Sequence, residues 1–246
     1  METTKKYKSP PIIEAICEFS FPEGKISFDK IESDFGKKIE HAFPSKNERK
    51  NLNFIFQGKD NKLTHEVQEQ RGLIQFVSSN KNNMVQIGNN LLAVNHMKPY
   101  VSWEAFQPTI IENLMLYCEI AQQKTINQAS FRYINQIEIP AEGVQLGDYF
   151  NYTITLPKGI SENLANIFCK TEHLYDGKHV LSITLHSLAF GKKDFTTFIF
   201  DISYNHIGNI LVNEKNILEV LKDSHLRLNS VFEQSLTDKC KLIFDN

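Results

Sequence analysis

The sequence lacks the short motifs by which many enzyme classes are recognised. Its 246 residues contain no glycine-rich phosphate loop, no His-Glu-x-x-His motif and no Gly-x-Ser-x-Gly motif. No Cys-x-x-Cys pair is present, which argues against a zinc knuckle or a dithiol redox site. The four cysteines are Cys17, Cys118, Cys169 and Cys240. We therefore assign no catalytic residue, metal ligand or cofactor and favour a non-enzymatic protein.

Strong charge of one sign and long apolar runs are absent as well. The 27 basic and 29 acidic residues give a net charge of −2, which provides no general attraction to nucleic acid or to an anionic membrane. No segment approaches the ~18 consecutive apolar residues of a membrane span. The first residues lack the apolar run of a signal peptide. We expect a cytoplasmic protein.

The composition is that of a globular protein, with 41% hydrophobic and 23% charged residues. A chain of this length forms one large domain or two small ones. No Pro/Gly/Ser-rich linker divides it. We expect a single domain over residues 1–246, with halves at 1–140 and 141–246 as the alternative.

The first half shows alternating patterns and then a long helical one. Residues 10–21 alternate between apolar and polar side chains and predict a strand. Helical spacing follows over residues 27–43. Strands are predicted at 51–57, 63–70, 73–78 and 84–94, and Arg71-Gly72 should join the second to the third. Gly88-Asn89-Asn90 favours a kink, bulge or tight turn in the last of them. Pro99 should end the strand, and Ser102 is a candidate N-cap for a helix over 103–122.

The second half repeats this order. A long strand is predicted at 129–140 and another at 149–156, whereas 160–164 is ambiguous. Asp176-Gly177 predicts a hairpin between strands 166–175 and 179–188. Residues 195–204 alternate, and Asn213 should cap a helix that runs to about residue 236. These patterns predict an α+β fold of two antiparallel β-meander units, each covered by a long helix.

The junction near residue 100 holds the densest cluster of unusual side chains, including the only tryptophan. His96, Tyr100 and Trp103 either form a binding site or close the end of the core, and large aromatic residues at element ends favour the core. We predict that they cluster with Arg132 or Tyr133. If the helix runs antiparallel along the whole strand, Trp103 should lie near residues 135–139 rather than near Phe131. A shorter or tilted helix would bring it near Tyr133. The candidate binding residues are His96, Tyr100, Trp103, Arg132 and Asn135.

Other polar residues have simpler interpretations. Glu14 and Arg132 lie on the polar sides of two strands and would pair if those strands are neighbours. His173, His179 and His186 surround the predicted hairpin, where exposed strand histidines are a better interpretation than metal ligands.

Three segments carry a family resemblance. They are Tyr7-Lys8-Ser9-Pro10-Pro11-Ile12-Ile13-Glu14-Ala15, residues 91–106 with Asn95-His96-Met97-Lys98-Pro99-Tyr100, and Arg132-Tyr133-Ile134-Asn135. With His225, Phe232 and Thr237-Asp238-Lys239 near the end, they are similar to a sporadically distributed family of uncharacterised bacterial and archaeal proteins. The family pattern often has a basic residue where this chain has Gln136. The patchy distribution implies genes that move horizontally, as mobile-element and anti-phage defence genes do.

Three functions are therefore carried forward. The first is an interaction component of a mobile-element or defence module, with a protein partner encoded by a neighbouring gene or a second copy of the chain. The second is a small-molecule-binding protein with a cavity between sheet and helix. The third is a nucleic-acid binder that uses Lys5, Lys6, Tyr7 and Lys8, or Lys46, Arg49 and Lys50. Such short basic runs are usually solvated.

Overall fold

One large antiparallel sheet organises the described residues. The computed structural model describes residues 6–59, 62–140, 144–151, 157–159, 166–188 and 194–245, without the side chains of residues 50–59 and 62–71. Within these ranges lie nine strands and five helices. In chain order they are β1 (Ile12–Ser20), α1 (Phe28–Ile39), β2 (Ser45–Lys59), β3 (Lys62–Val77), β4 (Asn83–Gly88), β5 (Leu91–Met97), α2 (Trp103–Ala121), β6 (Thr125–Pro140), α3 (Leu146–Tyr149), β7 (Phe168–Tyr175), β8 (His179–Ser187), β9 (Phe195–Leu211), α4 (Glu214–Ser235) and α5 (Asp238–Leu242).

The strands lie in the order β2-β3-β4-β5-β1-β6-β9-β8-β7. The meander β2 to β5 returns to pair with β1, and the meander β7 to β9 returns to pair with β6. β1 and β6 pair with each other in the middle of the sheet. The predicted α+β class with antiparallel strands is therefore confirmed, and the two meanders belong to one continuous sheet.

Strand β6 shows how the sheet divides its two faces. Its odd-numbered residues from Ala129 to Ile139 are buried, whereas the even-numbered residues between them are partly exposed. Trp103 of α2 and His225 of α4 both contact Phe131, so these two helices lie on the same side of the sheet. We call the side that carries Phe131 and Tyr133 the covered face, and the side that carries Arg132 the opposite face.

Local signals fixed several element ends as expected. The Ser102 hydroxyl accepts a hydrogen bond from the Ala105 amide at 3.3 Å and begins α2. The Asn213 side chain does the same for α4 through the Asn216 amide, at 2.9 Å. Asp176 and Gly177 both have positive φ angles, 43° and 69°, which identifies the predicted hairpin turn between β7 and β8. Among the helices of the described ranges, none has the length and hydropathy needed to cross a bilayer.

Other boundaries differ from the prediction. The strand predicted at 51–57 is part of the longer β2, and the two strands predicted at 63–70 and 73–78 are one strand, β3. Its register against β2 shifts between Glu48 and Lys50, so Gly72 lies in a bulge rather than in a turn. Tyr149 ends the short helix α3 instead of beginning a strand. Residues 152–156 and 160–164 lie outside the described residues.

Candidate functional site

A cavity of about 230 Å³ opens on the covered face where the start of α2 meets α4 and β6. At ~30 Å³ per water molecule, it has room for roughly eight waters or a small metabolite. Six of its lining residues carry aromatic rings. The lining residues are Lys6, Tyr7, Pro10, Pro11, Ile12, Tyr100, Val101, Ser102, Trp103, Glu104, Tyr133, Asn135, Ile202, His225, Asn229, Phe232 and Glu233.

Trp103 and His225 form a stacked pair at this cavity. Their ring centroids are 4.4 Å apart and their planes differ by 8°. Phe131 lies beneath them on β6, with its centroid 5.3 Å from that of Trp103. The stack therefore joins the first turn of α2 to the middle of α4 across the central strand.

A chain of hydrogen bonds runs along the same wall. The Tyr133 hydroxyl lies 2.8 Å from His225 Nδ1 and 3.3 Å from the Tyr100 hydroxyl. Asn229 Nδ2 lies 3.0 Å from His225 Nε2. If this amide donates to Nε2, then Nδ1 carries the imidazole proton and donates to Tyr133, which donates to Tyr100. In this direction the Tyr100 hydroxyl hydrogen is left for another acceptor.

Burial keeps these groups uncharged. It lowers the pKa of His225 from 6.5 to about 4, since the surroundings disfavour the imidazolium. Burial also raises the pKa of Tyr100 to about 12 and that of Tyr133 well above 10, and the bond donated to Tyr100 raises the Tyr133 pKa further. At neutral pH the wall therefore presents dipoles and aromatic surface rather than charge.

Asn135 provides an unpaired acceptor at the cavity. The residue is 1% exposed, and its Nδ2 donates to the Phe200 carbonyl oxygen at 3.0 Å. Its Oδ1 has no hydrogen-bond partner within the described part of the chain. A buried carbonyl left without a donor costs about 1–3 kcal/mol, so a ligand that supplies a donor gains from filling this position.

Acidic side chains dominate the charged rim. Hydrogen bonds to its own amide and to Ser102 lower the pKa of Glu104, so this carboxylate already satisfies the first turn of α2. Glu233 Oε1 accepts a hydrogen bond from the Tyr7 hydroxyl at 2.7 Å, and its Oε2 lies 3.5 Å from Lys241 Nζ. Lys6 is the cation among the lining residues. An anionic ligand is therefore disfavoured at this rim.

Three of the five predicted binding residues, Tyr100, Trp103 and Asn135, line the cavity together. His96 is not in the lining. It is buried behind Tyr100, with ring centroids 5.5 Å apart, and its Nδ1 lies 2.6 Å from Asn83 Oδ1. Arg132 is on the opposite face, because successive residues of a strand point to opposite sides. The predicted cluster therefore forms with Tyr133 and not with Arg132.

Trp103 was expected beside residues 135–139 only if α2 followed the whole strand, and near Tyr133 if the helix was shorter. The helix is the shorter element, and Trp103 packs on Phe131, whose ring centroid is 4.9 Å from that of Tyr133. The helix α2 has 19 residues and the strand β6 has 16. A helix rises ~1.5 Å per residue and a strand ~3.3 Å, so α2 spans only about half the length of β6. The helix therefore starts beside the middle of the strand.

The predicted ion pair between Glu14 and Arg132 is also corrected. The strands are neighbours, but the Arg132 guanidinium pairs with Asp201 through both Nε, at 2.7 Å, and Nη2. Glu14 instead accepts from Asn95 Nδ2 at 2.7 Å. Both carboxylates lie diagonally across from Arg132, since Ile134 pairs with Glu14 on one side and with Asp201 on the other. The hydrogen bonds to Asp201 raise the pKa of Arg132, and the field of Glu14 contributes less.

His225 and Asn229 were missed as site residues. Their signal was present in α4, whose apolar stripe includes Leu221 and Leu228, because His225 falls at a helical position between them. A polar residue at a buried periodic position indicates either a satisfied core group or a site.

The hairpin histidines do not converge. His179 bonds Asp176 at 2.8 Å and His206 at 2.7 Å, whereas His173 bonds Thr171 at 3.0 Å. His186 packs against Phe168. In the described ranges, no three His, Cys, Asp or Glu side chains are grouped so that they could hold a metal ion.

Comparisons with known proteins do not identify a relative. No family model matches the chain, and no curated protein matches it.

Proposed function

We propose that this protein binds a small molecule in the cavity between α2, α4 and β6, and that the ligand is an uncharged planar heterocycle. The unpaired Oδ1 of buried Asn135 is the observation that carries the proposal. Native proteins pair nearly all buried polar atoms, so an unpaired acceptor on a residue that lines a cavity indicates a position for a donor.

The rest of the wall defines the ligand further. Tyr100 offers a hydroxyl hydrogen when the chain of bonds from His225 runs in the direction given above. A ligand that bears a donor and an acceptor would satisfy both Asn135 and Tyr100. The aromatic rings of Trp103, Tyr133 and Phe232 favour a flat apolar body. Nucleobases and carboxamide heterocycles have this combination.

Electrostatics supports an uncharged ligand. His225 is neutral at physiological pH, since its pKa is lowered to about 4. Glu104 and Glu233 place two carboxylates at the rim, against the single cation Lys6 of the lining. Neither a phosphate nor a carboxylate ligand would find a buried positive partner among these residues.

The only tryptophan of the chain provides the assay. Uracil, adenine and nicotinamide are titrated while Trp103 fluorescence is recorded, with benzoate as a planar anionic control. We expect a saturable change for at least one neutral probe and none for benzoate. Lack of saturable change with all three neutral probes at millimolar concentration would contradict the ligand class.

A matched pair of variants tests whether the unpaired Oδ1 of Asn135 contributes to ligand binding. Asn135→Leu removes the acceptor at similar volume and should weaken binding by about tenfold, because one hydrogen bond in a desolvated site contributes ~1.5 kcal/mol. Asn205→Leu is the control, since Asn205 also donates to a strand carbonyl, that of Val180 at 3.3 Å, but is not in the lining. Equal loss of affinity in both variants would contradict the assigned role of Asn135.

The strand order also supports a proposal about the two halves. Each half begins with one strand, β1 or β6, continues into a meander whose last strand pairs with that first strand, and ends with a long helix. We propose two related meander units, each with its own helix, that meet at the β1–β6 pair. The boundary between them would then fall at residues 122–124 instead of 140, and the cavity would lie where the two long helices approach each other.

The protein partner implied by the family resemblance, the link to defence and the nucleic-acid alternative stay predictions. Lys46, one of the basic residues named for nucleic acid, lies 2.7 Å from Glu32, so its charge is already paired. Purification with the products of adjacent genes tests the first two, and filter binding at low salt tests the third.

A further inference from the structure

Among the described residues, strand β7 is the last strand of the sheet, and it displays large apolar side chains. Phe168 and Leu174 are 73% and 70% exposed, which makes them two of the most exposed large hydrophobic residues in the described chain. Both lie on the opposite face. Phe168 pairs with a residue of β8 that pairs in turn with Ile199 of β9, and residues paired directly across strands point to the same side of a sheet. An edge strand also leaves every second residue's backbone N–H and C=O groups without a strand partner, so β7 is a template for a further strand.

Two opposite charges lie between these apolar residues on the same face. Lys170 Nζ lies 2.8 Å from Glu172 Oε1. The face of β7 therefore reads apolar, positive, negative, apolar from Phe168 to Leu174. In a second copy of the strand that runs in the opposite direction, the same order places an apolar residue opposite each apolar residue and a charge of opposite sign opposite each charge. The strand is thus complementary to an antiparallel copy of itself.

We propose that β7 pairs with β7 of a second copy of this chain about a two-fold axis at Thr171, so that the two sheets continue into one. In this register Phe168 lies opposite Leu174 of the partner subunit, and Lys170 lies opposite Glu172 of the partner subunit. Each lysine then has a glutamate beside it along its own strand and another across the interface. Cross-strand pairs of opposite charge and of apolar side chains stabilise antiparallel strands.

Neighbouring registers are worse for a physical reason. A shift of the axis to residue 170 places Lys170 opposite itself, and a shift to residue 172 places Glu172 opposite itself. Like charges directly opposite each other destabilise a strand pair. An axis between two residues would pair an opposite-face residue with a covered-face residue and set the two copies' helices on different sides of the joined sheet.

The other edge of the sheet lacks this complementarity in its described part. Residues 45–49 of β2 are Ser, Lys, Asn, Glu and Arg, and all five are exposed. Charged edges of this kind oppose strand addition. On the covered side of β7, the Arg227 guanidinium lies 5.4 Å from the Tyr175 ring centroid, so that side already contacts α4. Self-pairing at β7 therefore produces a closed dimer and not an open polymer.

Sedimentation of the full chain over a concentration series tests the proposal. We expect a reversible dimer with a Kd on the order of micromolar, because one strand pair buries less area than a standard interface. Glu172→Lys should weaken the dimer at least tenfold, since it sets lysines opposite lysines. Lys170→Glu should do the same with glutamates. Mixing the two single variants sets glutamates opposite lysines across the interface while each strand keeps its like charges, because Lys170 and Glu172 pair within one strand in the unchanged chain. The mixture should recover a dimer, whereas two merely misfolded variants would not.

A cross-link tests the register independently. Thr171→Cys in a Cys169→Ser background brings two thiols together at the two-fold axis, where antiparallel Cα atoms are ~4.5–5.5 Å apart and a disulfide can form. Ser182→Cys in the same background is the control, since Ser182 lies on β8 and away from the edge. A chain that stays monomeric at hundreds of micromolar, a dimer indifferent to both charge changes, or cross-linking equal in both cysteine variants would each overturn the proposal.

Discussion

Neighbouring residues of β6 occupy two different environments. Arg132 on the opposite face is 43% exposed at its side chain, and its guanidinium is paired in two places with Asp201. Tyr133 on the covered face is buried and joins an uncharged network with His225 and Tyr100. Next on the covered face comes Asn135, whose Oδ1 has no hydrogen-bond partner among the described residues.

This contrast separates structural polar groups from candidate functional ones. On the opposite face the charged side chains have side-chain partners, since Arg132 pairs with Asp201 and Glu14 accepts a hydrogen bond from the Asn95 amide. On the covered face polar atoms lie in an apolar wall beside a cavity, where each incomplete bond is expensive. Charge drew attention to Arg132 in the sequence, but incomplete pairing on a residue that lines the cavity indicates the site. Four predictions test the difference between the two faces.

Trp103→Ala should have the largest effect on the covered face. Trp103 stacks on His225 and packs on Phe131, so its removal leaves a cavity between α2 and α4. We expect the free energy of unfolding to fall by about 3–4 kcal/mol in denaturant titrations. Val101→Ala, a neighbouring residue that is 68% exposed, is the control and should change it by less than ~0.5 kcal/mol. A Trp103 variant as stable as that control would mean that the stack does not support the fold.

The second largest effect should be a pH dependence carried by His225. Its pKa is about 4 in the folded protein and 6.5 when unperturbed, so the unfolded chain binds its proton first as the pH falls. The stability it contributes is fully present above pH 6.5, is lost progressively towards pH 4, and amounts to about 3 kcal/mol. His225→Gln should remove this part of the acid sensitivity. The measurement is the difference between the two stability-against-pH curves, and parallel curves between pH 7 and 4 would contradict the assigned burial.

Breaking the ion pair on the opposite face should lower the free energy of unfolding by less than either change on the covered face. Arg132→Met leaves the carboxylate of Asp201, 17% exposed at its side chain, without its guanidinium. We expect a loss of about 1–2 kcal/mol, discounted because the arginine is partly in solvent. The double variant Arg132→Met/Asp201→Leu should recover most of that loss, since no partly buried charge then remains unpaired. A double variant worse than the sum of the single ones would argue that the pair is needed for the sheet itself.

Local physics explains why much of the fold could be predicted. Ser102, Asn213 and Asp176-Gly177 act within a few residues of themselves, so capping and turn chemistry placed α2, α4 and the β7–β8 hairpin. Gly72 misled the prediction because a glycine in a bulge and a glycine in a turn have the same local signature. Only the pairing with β2 distinguishes them.

The site could be predicted only in part, because half of it depends on long-range packing. Tyr100, Trp103 and Asn135 were found from unusual residues close to an element boundary. His225 lies 92 residues from Tyr133, and nothing in either segment specifies that they touch. Their contact follows from the return of β9 beside β6 and the packing of α4 on both strands. Polar residues at buried periodic positions were the one sequence signal available for His225.

The smallest effect should come from Tyr133→Phe, which deletes one oxygen and keeps the ring. The hydroxyl links His225 Nδ1, at 2.8 Å, to the Tyr100 hydroxyl, at 3.3 Å, so its loss leaves a ring nitrogen without its partner while the aromatic packing persists. We expect the free energy of unfolding to fall by about 1 kcal/mol in denaturant titrations. Ser130→Ala, which removes a hydroxyl from the opposite face of the same strand, should change it by less than ~0.5 kcal/mol. Because Tyr100 is at the exposed end of the chain of bonds and Tyr133 is in its middle, Tyr100→Phe should cost less than Tyr133→Phe. A larger loss in Tyr100→Phe would mean that the hydroxyl at the rim stabilises the cavity wall more than the buried hydroxyl of Tyr133 does.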